Sequence, residues 1–210
     1  MKPLPIIGLA AILIVSAGYV ILHGRSSGLF GSGSTDSAQG NRWQKVDRSA
    51  EGFTLEIPAE SKQAQVPTYD QGGAVEPANM ILANSDAETT FSIAWADDPP
   101  VARDNGSAPE RVLDAAEQGA LTRTQTIATR SASGTAQGFP ERDFTASNAG
   151  GGVMDARLIY AGDRLYMLVA AFPSARARRD QNVARFFNSF KLLPTTPVNR
   201  SSAAGSAASN

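Results

Sequence analysis

Apolar and polar positions alternate through residues 153–173, "VMDARLIYAGDRLYMLVAAFP", in two runs that meet at Gly162-Asp163. A Gly-Asp pair between two strand-like runs is a two-residue hairpin signal. With that pair as the loop, Ala161 faces Arg164, Tyr160 faces Leu165, Leu158 faces Met167, Ala156 faces Val169 and Met154 faces Ala171. Successive side chains of a strand point to opposite faces. One face therefore gathers Met154, Ala156, Leu158, Tyr160, Leu165, Met167, Val169 and Ala171, carries no charge, and is expected to be core. The other mixes Ile159, Tyr166, Leu168 and Phe172 with Asp155, Arg157 and Arg164, and is expected to be partly covered.

The same period places a strand over "FTLEI", residues 53–57, ended by Pro58. A strand pair is expected over residues 79–84 and 90–96, around "SDAET", and Asp97-Asp98-Pro99-Pro100 is expected to stop it. Further strands are expected over 125–132 and 139–146, with "AGGG" at 149–152 as a flexible loop. Thr68 falls in a stretch read as loop. Two segments switch to a helical period. In residues 107–121, Val112, Leu113, Ala116 and Ala120 share a face, Ser107 and Glu110 have capping-box spacing, and Pro109 suits the first turn. In the segment from Ser174, a predicted N-cap, Val183, Phe186, Phe187 and Phe190 recur at i, i+3, i+4 and i+7. Residues 190–193 then turn extended as a short closing strand. Strands, helix, a run of antiparallel strands, helix and a short strand predict an α+β fold. Its antiparallel β-sheet carries two main helices packed on it and is preceded by a single N-terminal transmembrane helix.

That helix is read from residues 4–22, "LPIIGLAAILIVSAGYVIL", an uncharged apolar run. About 20 such residues cross a bilayer. An uncleaved anchor is favoured over a signal peptide because the run continues past the small-residue site Val15-Ser16-Ala17. Secretion after cleavage near Ala17 is the alternative. Lys2 and Arg25 flank the run almost evenly, and the short N-terminal tail places the N-terminus in the cytoplasm and the domain in the periplasm or outside the cell. Residues 1–25 thus form an anchor or signal sequence, and 26–41, rich in Gly and Ser, a flexible linker. Residues 42–194 form one globular domain, and 195–210 are expected to be a disordered tail. There is no internal repeat.

Composition narrows the chemistry. The net charge is -1, which argues against a nucleic-acid surface. The chain has no Cys and a single His, His23, beside the apolar run. A Ser-His-Asp triad and His- or Cys-ligated metal and haem sites are therefore excluded from the domain. A Ser-Lys dyad would need Lys45, Lys62 or Lys191, and none stands in a recognisable motif. Asp97-Asp98 could hold a hard cation, against the simpler reading of a solvated turn. Glu141, Asp143 and Asp155 lie on neighbouring predicted strands, where acid-base work competes with cross-strand pairing to Arg142 or Arg157. Gly150-Gly151-Gly152 lacks the Lys-Ser or Lys-Thr and the helix of a phosphate-binding loop. An apolar pocket beside Tyr166 and Trp95 would suit a small ligand. No catalytic residue, cofactor or metal site is assigned. Arg176, Arg178, Arg179 and Arg185 form the cluster that structure alone explains least. They could bind an anionic lipid headgroup or an acidic partner, against the simpler reading of a solvated helix face, and are the candidate partner-binding residues; arginine near a helix start is also mildly unfavourable to the dipole.

The opening "GFTLEIPAE", the arm "GDRLYMLVAAFP" and the terminal "ARFFNSFKL" resemble the PsbP-like α/β/α sandwich, in particular small bacterial members that are membrane-anchored or exported. The resemblance spans about residues 53–192 and rests on structural apolar positions. It implies the fold and a binding or assembly role, and it brings no shared catalytic motif. The expectation is a membrane-tethered, non-enzymatic envelope domain that binds or scaffolds a protein partner. A carboxylate-dependent enzyme or a module for small apolar ligands is the alternative. Oligomeric state is left open.

Overall fold

The computed structural model describes residues 42–69, 75–85, 89–105 and 108–194. The anchor, linker and tail expected at 1–25, 26–41 and 195–210 lie outside the described residues. Among the described residues no helix is long and apolar enough to cross a membrane.

The chain runs β1 (Trp43–Arg48), β2 (Phe53–Pro58), β3 (Lys62–Tyr69), β4 (Val75–Asn84), β5 (Thr90–Asp97), α1 (Pro100–Asn105) and α2 (Pro109–Thr124). It continues β6 (Ile127–Ala136), β7 (Phe139–Ser147), β8 (Val153–Ala161), β9 (Arg164–Phe172), a 3₁₀ turn (Ala175–Ala177), α3 (Asp180–Ser189) and β10 (Lys191–Leu192). Seven strands make one antiparallel sheet in the order β3-β4-β5-β9-β8-β7-β6, and a small sheet has the order β1-β2-β10.

The β8–β9 hairpin has the predicted register at every pair, from Ala161↔Arg164 to Met154↔Ala171. Gly162 has φ +72°, the left-handed conformation that its position in the turn requires and a side chain would resist. The predicted dry face is buried throughout. It packs with Val112, Leu113, Ala116 and Ala120 of α2 and Val101 of α1 into one core.

The opposite face departs from expectation. Tyr166, Leu168, Ala170 and Phe172 of β9 are as buried as their neighbours on the first face. They belong to a second core with Phe53, Leu55 and Ile57 of β2 and with Val183, Phe186 and Phe190 of the last helical segment. Phe53 lies at its centre, 5.1 Å from the ring of Trp95, 5.8 Å from Tyr166 and 5.9 Å from Phe190. The small sheet and α3 cover what the sequence left half open. The large sheet is thus sandwiched by helices on one face and by a helix plus a small sheet on the other.

Several local expectations are corrected. Thr68 is no loop residue: it lies in β3 and is 2% exposed. Pro67 made that stretch look broken, but β3 is an edge strand, where a missing donor is tolerated. Pro99-Pro100 ends β5, yet Pro100 opens α1, because Pro lacks a donor that a first helical turn does not need. The N-cap of α2 is Ala108, which has no side-chain cap, and Ser107, the expected cap, lies outside the described residues. Ser174 precedes the 3₁₀ turn, and α3 begins later with Arg179 at its N-cap position.

Candidate functional site

The second core stops short of the sheet's β6 end, and polar side chains take over there. On β8, Asp155 and Arg157 point to the α3 face; on β7, Glu141, Asp143 and Thr145 do the same, each beside its cross-strand partner. Arg157 donates through Nε and Nη2 to the two oxygens of Asp143, at 2.8 and 2.7 Å. Its Nε also lies 3.3 Å from Glu141, and its guanidinium sits 5.5 Å from the centre of the Phe187 ring. Asp155 accepts from the Thr145 hydroxyl at 2.8 Å and from Nε of Arg178 at 2.7 Å. Arg178 comes from the segment between the 3₁₀ turn and α3, and it also pairs with Asp180. A cavity of about 160 Å³ opens among these groups, lined by Arg130, Asp143, Asp155, Arg157, Arg178 and Phe187 among others.

Electrostatics follow from this packing. Burial pushes the Glu141 carboxyl above its ordinary value; Arg157 opposes that and the Asp143 charge adds to it. One Glu141 oxygen, Oε2, is buried without a hydrogen bond. The Asp143 bond raises the Arg157 guanidinium further, against desolvation. The Asp155 bond does the same for Arg178. Asp143 and Asp155 therefore share one face and one cavity, but each already accepts from a guanidinium. Among the described residues, the one hydroxyl bonded to either of them is that of Thr145, which donates to Asp155 while Arg178 holds the other oxygen of the same carboxylate.

Arg142 takes the opposite face of β7. It bonds Glu117 at 2.9 Å and Asp114, and the Ser131 hydroxyl donates to the same Glu117 oxygen at 3.0 Å. This network ties α2 to β6 and β7 and does not join the cavity. Of the two cross-strand partners expected for the acidic residues, Arg157 fills the role and Arg142 does not.

The other candidate residues scatter. Arg185 pairs with Glu56 at 2.6 Å and stacks 4.8 Å over Trp43, fastening α3 to the small sheet. Arg176 and Arg179 are exposed and in no ion pair among the described residues; Arg179 donates to the Arg176 carbonyl at 3.0 Å. Asp97 is held by Arg164, and Asp98 lies 4.0 Å from Arg103. Trp95 and Tyr166 sit within the second core, and the Tyr166 hydroxyl donates to the Glu51 carbonyl at 2.8 Å. The space beside them is filled by Phe53 and Phe190.

The strand expected over 125–132 is present as β6, but sequence reasoning did not see that it forms the sheet edge bordering the cavity. β6 is an edge strand of ten residues, "IATRSASGTA", with no Pro and Arg130 as its single charge. Nearly all of it is exposed, and no described element pairs with its outer side. The opposite edge, β3, carries Lys62 and Pro67, groups that blunt an edge. The available signal was the lack of such residues in the segment after Gln125.

No family model and no curated protein matches the chain. Among solved structures it is similar to the solution structure of a cyanobacterial PsbP, CyanoP from Synechocystis, at 12% identity and a TM-score of 0.47, covering 78% of this chain and 98% of that one. It is also similar to the crystal structure of a protein of unknown function from Pseudomonas aeruginosa, at 14% identity and a TM-score of 0.34, covering 64% of this chain and 85% of that one.

Proposed function

We propose that the chain is a membrane-tethered, non-enzymatic domain of the bacterial envelope that binds a protein partner. Residues 4–22 serve as the anchor, residues 26–41 as the tether, and the β6 end of the sheet as the contact. The observation that carries this reading is the state of the polar site: its carboxylates are all engaged by arginines, and it opens beside a sheet edge that no described element covers. A tether of this kind raises the local concentration of the domain near membrane partners.

Photo-crosslinking residues placed singly over the exposed surface, in intact cells, test the reading. At least one position should capture the same protein reproducibly; capture at none would refute it. The tether has its own test: the protein should fractionate with membranes through a high-salt wash, and a mature N-terminus at Gly18 would overturn it.

A further inference from the structure

We infer that the partner docks as an extended peptide segment, added as an eighth strand to the free edge of β6, with an acidic side chain placed opposite Arg130. This rests on the proposed partner-binding role and specifies the partner's chemistry.

The edge is suited to the task. A free strand edge offers a row of backbone donors and acceptors to any extended chain, and addition of a strand is a recurring mode of peptide recognition. Natural sheets defend such edges with charges, Pro, bulges or covering elements; β6 has a single charge, Arg130, with a register shift beside it, no Lys or Pro, and no covering element among the described residues, whereas β3 carries Lys62 and Pro67. A register shift between Ala128 and Arg130 is its one irregularity, so the stretch from Arg130 to Ala136 is regular.

The register says what the added strand would meet. Arg130 pairs with Thr145, Ala132 with Asp143, Gly134 with Glu141 and Ala136 with Phe139, so these β6 residues share the cavity's face. Apart from Arg130 they are small, and Gly134 leaves the nearest Glu141 oxygen only 3.1 Å from where a Cβ would stand. A partner's larger side chains would find room over this shelf. The two exposed large hydrophobic residues among those described, Ile127 at 77% and Phe139 at 37%, lie at its two ends. By pairing with Ser147 and Ala136 they stand on that same face.

Charge chooses the partner. Every acidic group around the cavity is already engaged: Asp143 and Glu141 by Arg157, Asp155 by Arg178. Arg130 has no such partner among the described residues, and it stands on the edge strand and lines the cavity. A residue facing Arg130 from an added strand lies within cross-strand reach, where opposite charges attract and like charges repel. A second copy of this chain would bring another β6, whose single charge is again Arg130, and no acid to meet it. An acidic segment of another protein is the complementary occupant.

The test uses the full chain in detergent and fluorescence anisotropy with a labelled peptide of alternating Thr and Val carrying one central Glu. Three comparisons decide it: a twin peptide with Lys in place of Glu, a twin with alternate amides N-methylated, and the Arg130→Glu chain. The Glu peptide should bind at least about fivefold more tightly than the Lys peptide, as a cross-strand charge pair allows. The N-methylated peptide should not bind, because it cannot complete the ladder. Arg130→Glu, whose melting temperature should match the parent's, should reverse the Glu–Lys preference; Arg130→Gln should abolish it. Equal binding of the two charges, binding of the N-methylated peptide, or indifference to Arg130 would each overturn the inference. So would sedimentation of the chain as a dimer that the Glu peptide does not dissociate, which would give the edge to a second copy. Cellular crosslinks to a partner that fall away from β6 would sink this inference while leaving the partner-binding role intact.

Discussion

Replacing Arg157 with Leu removes the cation on which the polar end of the sheet depends. Its guanidinium bonds Asp143 at 2.8 and 2.7 Å and lies 3.3 Å from Glu141. The Asp143 side chain is 43% exposed, so water takes over much of its interaction, and that loss is worth about 0.5 kcal/mol. Glu141 is 15% exposed, with one oxygen already lacking a hydrogen bond. Leaving it charged without its cation costs about 1–2 kcal/mol. Leu retains part of the packing under Phe187, so the total comes to about 2 kcal/mol near neutral pH. With a urea slope of about 2 kcal/mol per M, the unfolding midpoint should fall by about 1 M. Both tryptophans of the chain, Trp43 and Trp95, lie in the folded unit, so the fluorescence of the full chain reports that unit alone. The pH dependence fixes the cause. Burial already holds the folded Glu141 carboxyl above 4.5, and Arg157 pulls it back down. Without Arg157 it rises further. An acid whose folded pKa is raised destabilises the fold above that pKa, and the penalty fades as pH falls through it toward the unfolded value. The deficit of the variant should therefore be largest near neutral pH and shrink as pH falls toward 4.5. Adding Glu141→Gln to it should restore part of the loss at neutral pH. An unchanged midpoint, or a deficit equal at both pH values, would refute this account of the site.

Glu141→Gln alone should stabilise the parent slightly at neutral pH, by less than about 1 kcal/mol, and should flatten the gain in stability that the parent shows on acidification; urea midpoints across that range check it. Glu117→Ala leaves Arg142 with Asp114 alone and orphans the Ser131 hydroxyl. It should cost about 2–3 kcal/mol in urea unfolding, while crosslinking at the cavity face stays as in the parent. Met167→Asp and Thr68→Asp should both lower the midpoint by several kcal/mol equivalents, on the order of the whole stability of a typical domain, since their positions are 1% and 2% exposed. An innocuous Thr68→Asp would return that stretch to loop.

The hairpin β8–β9 was fully legible because its turn pins the register. Once Gly162-Asp163 forms the loop, strand periodicity assigns every later pair, and a slip by one would turn the uncharged face to solvent. The aromatic stripe of α3 was legible for the same kind of reason, since four apolar residues at helical spacing have one sensible face. Less legible was which surface that stripe meets. Asp155, Arg157 and Arg164 made the second face look wet, yet they border the small sheet and α3 while Leu168, Ala170 and Phe172 lie beneath them. β3 escaped notice because Pro67 interrupts a weak pattern, and only its place at a sheet edge makes that Pro harmless. The candidate site was half legible. Pairing of Asp143 with Arg157 follows from adjacent strands, whereas the Asp155–Arg178 pair joins residues brought together only when the 3₁₀ turn carries the chain back over the sheet.

The position of the site follows from how a seven-stranded sheet is covered. The small sheet and α3 bury β5 and β9, and α1 and α2 bury the other face. A single short helix such as α3 cannot extend its apolar cover to every strand; at β8 the apolar residues of that face give way to Asp155 and Arg157, and β6 is left exposed on nearly its whole length. An uncovered strand must then be either defended against pairing or used for it. Lys62 and Pro67 defend β3 at the far edge. At β6 the sequence supplies small, uncharged residues in place of such guards, and its one charge lines the cavity. The carboxylates that could have neutralised Arg130 are bound by Arg157 and Arg178, which are in turn held by Phe187 and by the segment leading into α3. The ion pairs thus serve two ends: they satisfy the polar groups at the limit of the core, and they leave one cation beside an open ladder, which is the combination an acidic strand would recognise.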